Sequence, residues 1–85
     1  MTKYTYAERV VKKVRQLLRY NGITKDFIMN HPSIDLDENF CLESLVWTYY
    51  DIQVIVTSNH IVYSNRNHAV PMMEYNGFDD LLKIK

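Results

Sequence analysis

With 85 residues, 47% of them hydrophobic and 13% aromatic, the chain reads as one folded domain over residues 1–85, far from the composition of disordered segments. Two glycines and two prolines argue against a many-stranded barrel rich in tight turns. The formal net charge of zero hides a segregation: residues 1–25 carry seven cations against Glu8 alone, and residues 26–51 carry six carboxylates and no cation.

The first element is an amphipathic helix. Ala7, Val10, Val11, Val14, Leu17 and Leu18 recur at helical spacing and fill about 120° of arc. Thr5 and Glu8 have capping-box spacing at its start. Gly22 suits the left-handed residue after its end, which would bring Ile23 back onto Leu18. The polar side carries Arg9, Lys12, Lys13, Arg15 and Arg19. These cations admit three readings: a nucleic-acid footprint, a surface for an acidic protein, or the solvated side of a core helix beside the acids that follow.

Next, Thr24 is placed to cap a short helix running through Asn30, which Pro32 would end. The stretch SIDLDENFCLESLVWTYY, residues 33–50, can be read in two ways. Asp35 or Asp37 can cap a helix with Leu36, Phe40, Cys41 and Leu45 inward, and acids near its start would suit the helix dipole. The β-branched and aromatic run from Val46 to Tyr50 favours a strand instead. We expect a helix to about Leu45 and extended chain beyond it. Asp35, Asp37, Glu38 and Glu43 would then form an acidic surface able to enter a groove built for nucleic acid.

A hairpin follows. With Ser58-Asn59 as a two-residue loop, Val56 faces Ile61 and Val54 faces Tyr63, so Ile52, Val54, Val56, Ile61 and Tyr63 share one apolar face. HAVPMMEY, residues 68–75, supplies a third strand, which Pro71 confines to an edge, where a second copy of the chain could pair as a homodimer. Asn76-Gly77 turns into a short terminal helix with Phe78, Leu81 and Leu82 inward.

The expected fold is therefore α+β: a long first helix, one or two shorter helices, a small antiparallel sheet of two or three strands, and a short C-terminal helix. That order is winged-helix-like, with residues 24–30 and 36–46 as a helix-turn-helix. The would-be recognition helix carries Asp37, Glu38 and Glu43 and no cation, so it would repel the phosphates it had to approach.

No pattern calls for a cofactor or a metal. His31, His60 and His68 lack the i, i+4 spacing of a helical metal pair, and Cys41 has no cysteine companion and is expected in the core. The lone cysteine, the lack of an apolar leader and the lack of a membrane-length apolar run fit a cytoplasmic protein with no membrane partner. Tyrosines and Trp47 crowd the second half of the chain, where exposed aromatics serve as interface anchors.

The expected function is a non-enzymatic interaction protein that blocks a protein or nucleoprotein target. Its expected contacts are Asp35, Asp37, Glu38, Glu43, Trp47, Tyr49 and Tyr50. Residues with AT-rich codons (Asn, Ile, Lys, Tyr) number 27, while Gly, Ala, Arg and Pro together number 10. That bias suggests an AT-rich genome and a phage or mobile-element inhibitor, anti-CRISPR-like or of a host-takeover type. The alternative is a transcriptional regulator that binds nucleic acid directly through Arg9, Lys12, Lys13, Arg15 and Arg19.

Overall fold

A computed structural model describes the backbone of residues 3–23 and 26–84. Helix α1 spans Lys3–Tyr20, and a single 3₁₀ turn covers Asp26–Met29. Five strands follow: β1 (Ser33–Leu36), β2 (Leu42–Tyr49), β3 (Ile52–Thr57), β4 (His60–Asn65) and β5 (His68–Glu74). Helix α2, Phe78–Lys83, closes the chain. The strands form one antiparallel meander in the order β1-β2-β3-β4-β5. This overturns the expected two or three strands with several N-terminal helices, and the winged-helix comparison falls with it. The segment expected as a recognition helix lies in β1, a loop and β2.

The reason is local. Along β2 the buried residues are Leu45 and Trp47, with Ser44, Val46 and Thr48 on the other face, so a period of two extends back past the point where a helix was expected to end. Asp37, expected as a helix cap, organises a turn instead. Its carboxylate oxygen accepts the Asn39 and Cys41 amides, each at 2.9 Å, while Phe40 N–H donates to the Asp37 carbonyl at 2.9 Å. A short carboxylate serves either purpose equally well, so its presence does not discriminate. Cys41 lies exposed in this loop and not in the core.

Helix α1 packs by the expected stripe. Val10, Val11, Val14, Leu17 and Leu18 are all buried, at about 1.5–3 kcal/mol each relative to exposure. The helix starts at Lys3, so Thr5 lies inside its first turn and is not the N-cap. Its end is a Schellman motif: Gly22 has φ +87°, Ile23 N–H donates to Leu18 O at 2.8 Å, and Gly22 N–H donates to Arg19 O at 3.0 Å. Ile23 packs against the core as expected. The Thr24 cap lies outside the described residues.

The hairpin register is the one read from alternation: Val56 pairs with Ile61 and Val54 with Tyr63. Strand β5 is an edge, and the ladder shifts between Ile61 and Val62, leaving Met72 as the extra residue beside Pro71. α1, the 3₁₀ turn and α2 contribute Val10, Phe27, Ile28, Phe78 and Leu81 to a core completed by Leu45, Trp47, Val54, Val56 and Ile61. These strand residues share one sheet face, so the helices cover that face. The other face presents Val46, Ile55 and Val62 half-buried among Thr48, Gln53, Thr57 and Ser64.

Candidate interaction surface

Directly paired residues of an antiparallel sheet lie on the same face, so the helix-covered side can be read row by row. Leu45–Val56–Ile61 and Trp47–Val54–Tyr63 are rows of the core. The next row, Tyr49–Ile52–Asn65–His68, is the last before the strands end, and three of its four members are exposed. Two tight turns rise beside it, Tyr50-Asp51 between β2 and β3 and Arg66-Asn67 between β4 and β5. Row and turns line a shallow groove of about 690 Å³.

Both turns hold a bulky residue in the left-handed region, Tyr50 at φ +53° and Arg66 at φ +56°. Glycine or asparagine normally occupies such positions, because a larger side chain there costs on the order of 1 kcal/mol. The turns are tied together. Arg66 donates from its backbone N–H to Asp51 O and from Nε to Asp51 Oδ2, both at 3.0 Å. The two side chains of this ion pair are 76% and 60% exposed. A pair so exposed contributes roughly 0–1 kcal/mol, so its main effect is to fix where the two charges point.

An aromatic series leads from the core to this end. The Phe27 and Tyr49 rings stack at 5.5 Å and 9°, and Tyr49 meets Tyr50 edge-on at 4.6 Å and 81°. Phe27 is held by the lock on its own turn. Arg15 donates from Nε to Ile28 O at 2.7 Å, and from Nη2 to Met29 O at 3.1 Å and Asn30 O at 3.0 Å. Trp47 Nε1 donates to the same Asn30 O at 2.9 Å. Tyr50, at the end of the series, is 86% exposed.

No family model matches the chain, and no curated protein or solved structure is significantly similar to it. What the surface can do therefore rests on its residues. Of the expected partner contacts, the structure brings Tyr49 and Tyr50 together and leaves them outward. Trp47 is only 2% exposed and is a core residue with its indole N–H bonded, not an interface anchor. Asp37 is spent on its own loop, and Asp35 accepts the Ser44 hydroxyl at 3.0 Å. Glu38 and Glu43 are exposed, on the β1–β2 loop and the start of β2.

The expected nucleic-acid contacts divide similarly. Arg9, Lys12 and Arg19 are exposed, Lys13 is half-buried, and Arg15 is committed to the three carbonyls of the lock. Among the described residues, none of these five forms an ion pair with the acids of residues 35–51. Sequence reasoning missed Phe27, Asp51, Arg66 and His68 as members of one surface. The Tyr50-Asp51 turn contains neither glycine nor asparagine, so the usual turn signal was missing there, while Ser64–Asn67 has loop composition but says nothing of what it would meet.

The opposite end of the sheet is built differently. The Tyr75 hydroxyl lies 2.6 Å from Thr57 O and 2.9 Å from His60 O, and its single proton is shared between the two carbonyls that flank the Ser58-Asn59 turn. Burial pushes the Tyr75 phenol well above its ordinary pKa. Tyr6 donates to Asp79 Oδ1 at 2.7 Å, joining α1 to α2. Its phenol is pushed up to about 12, first by burial and then by the hydrogen bond to, and charge of, Asp79. Asp80 accepts the Asn76 amide at 3.0 Å at the start of α2.

Proposed function

We propose that this is a non-enzymatic binding protein that occupies and blocks a macromolecular target, with the Tyr49–Tyr50 end of the sheet as its anchor. The observation that carries the reading is Tyr50 itself. An aromatic ring almost wholly in solvent, on a backbone conformation that disfavours it, gives the fold little beyond its edge-on contact with Tyr49. Tyrosine is a favoured hot-spot residue because it buries a large area while few rotatable bonds are frozen. Beside it, the Asp51–Arg66 pair and His68 supply oriented polar groups around the anchor.

Small size, an AT-rich residue bias and segregated charge support a place among inhibitors carried by phages or other mobile elements, anti-CRISPR proteins being one kind, acting in the cytoplasm of a bacterial host. In this reading the anchor moves from the acidic stretch to the turns at the end of β2 and β4. No helix among the described residues is long and apolar enough to cross a membrane.

The test is target capture from host lysate followed by affinity measurement on the purified target. Tyr50→Ala should weaken binding by about thirty-fold or more, the size of a hot-spot loss. Glu38→Lys should change it by only a few-fold. The competing reading, a nucleic-acid-binding regulator, draws support from the exposure of Arg9, Lys12 and Arg19, which form no ion pair among the described residues. A salt-resistant gel shift abolished by Arg9→Glu with Lys12→Glu, and indifferent to Tyr50→Ala, would replace the first reading with the second.

A further inference from the structure

A second surface lies on the outer side of α1. Lys12, Arg15 and Arg19 fall within about 60° of one another around the helix, on the flank that meets the 3₁₀ turn. With Gln16, Tyr20 and Met29 they line an open groove of about 550 Å³ that contains three cations and no carboxylate. Two of its members are large apolar groups left outside the core, Tyr20 at 85% and Met29 at 52% exposed.

The cations are not equivalent. Arg15 is fixed by its three carbonyl acceptors, so it is a stationary positive charge at the groove's inner wall. Among the described residues Arg19 donates from Nη2 to the Met29 sulfur at 2.8 Å, and a thioether is a weak acceptor. Most of its planar fork stays available to a carboxylate, which guanidinium binds through two parallel hydrogen bonds. Lys12 lies seven residues earlier, about 10 Å along the axis.

We infer that this groove docks an acidic, amphipathic helical segment of a partner protein, its carboxylates on Arg19 and Lys12 and an apolar side chain beside the Arg19 contact on Met29 and Tyr20. Charge complementarity selects the acidic character, and the apolar pair selects a peptide over a polyanion. The spacing suits helix against helix, because acids seven apart on the partner repeat the same ~10 Å. Nucleic acid fits less well. With Arg15 committed, Lys12 and Arg19 would neutralise about two phosphates here, against the roughly six to ten typical of salt-sensitive duplex binders. The inference rests on the protein being a binder of proteins, but not on the Tyr49–Tyr50 end.

The probe is a fluorescein-labelled Ala/Gln-based helical peptide of about 15 residues, with two glutamates seven apart and a leucine and a phenylalanine beside one of them on the same face. Anisotropy should show saturable binding to the intact protein. Lys12→Glu and Arg19→Glu should each weaken it by about ten-fold, and raising salt several-fold should weaken it as well. Met29→Ala should weaken it by roughly three-fold. Tyr50→Ala should leave it unchanged, and circular dichroism should show each variant folded. Equal binding of a peptide with glutamine replacing both glutamates would overturn the inference. So would undiminished binding by the charge-reversal variants, or preferential binding of a roughly 20-nucleotide oligo-dT. Masking of the groove by a second copy, seen as concentration-dependent sedimentation lost on Arg19→Glu, would also overturn it. If target capture depends on Tyr50 while the peptide fails to bind, this inference falls and the anchor reading stands.

Discussion

The two ends of the sheet are closed by short connections and treated in different ways. At the end holding Ser58-Asn59, polar side chains turn back on their own backbone. Tyr75 takes the carbonyls flanking that turn, Asp37 takes two amides of the β1–β2 loop, and Asp80 takes the Asn76 amide. At the end holding Tyr50-Asp51 and Arg66-Asn67, one exposed ion pair joins two left-handed turns, and the aromatic rings lead outward. The first end spends most of its polar side chains on folding, although Phe40 lies exposed there on a left-handed backbone of its own, and the second leaves an ion pair and Tyr50 facing solvent. Side chains that serve the fold are found by asking which backbone groups they satisfy. Those that do not are the ones to test for recognition.

The largest effect should come from loosening what supports the outward end. Arg15→Met leaves the Ile28, Met29 and Asn30 carbonyls without the guanidinium and should cost about 3 kcal/mol, read as a lower urea midpoint. It should also weaken target binding, because Phe27 no longer holds Tyr49 in place.

A smaller loss is expected at the clamped end. Tyr75→Phe removes the shared hydroxyl and should cost about 1–2 kcal/mol while leaving target affinity untouched. Its partner measurement is an alkaline titration of stability. Tyr6 and Tyr75 have folded pKa values above their ordinary 10.0, so the folded state holds these protons more tightly than the unfolded chain. Their contribution is complete below about pH 10 and fades as pH rises through about 12 for Tyr6 and higher for Tyr75. Tyr75→Phe should flatten part of that decline. Unchanged alkaline sensitivity in this variant would show that the clamp does not act as described.

The comparison is sharpened most by a change that should improve the fold. Tyr50→Gly relieves a left-handed residue and should raise stability by up to about 1 kcal/mol, while abolishing target capture. Loss of stability instead would mean that the ring belongs to the fold. The smallest effect should be that of Arg66→Ala, within about 1 kcal/mol of wild type in thermal unfolding, because the pair it breaks is mostly in water.

How much of this was legible depends on how local the cause is. The stripe of α1, its Gly22 ending, the Val54–Tyr63 and Val56–Ile61 register and the edge position of β5 were all readable, because each follows from spacing or from one residue's backbone limits. Residues 33–45 were misread because Asp35 and Asp37 offer the same signal to a helix start and to a turn, and only pairing with β3 decides between them. Trp47 was misread for a related reason. An indole can anchor an interface or fill a core, and the acceptor that settles the matter, Asn30 O, lies 17 residues away.

The sequence by itself determined the amphipathic helix, the central hairpin and the unequal distribution of charge, since these are written in residue order at periods of 3.6 and 2. Only the tertiary structure decided that Arg15 is a bolt and not a contact, and that Tyr49, Tyr50, Asp51, Arg66 and His68 share one surface. Those facts come from turns that are separate in the sequence and meet at one end of the sheet, as Asp51 and Arg66 do. The free energy that brings them together is the burial of Trp47, Val54, Val56 and Ile61 beneath α1, and no single stretch of sequence carries it.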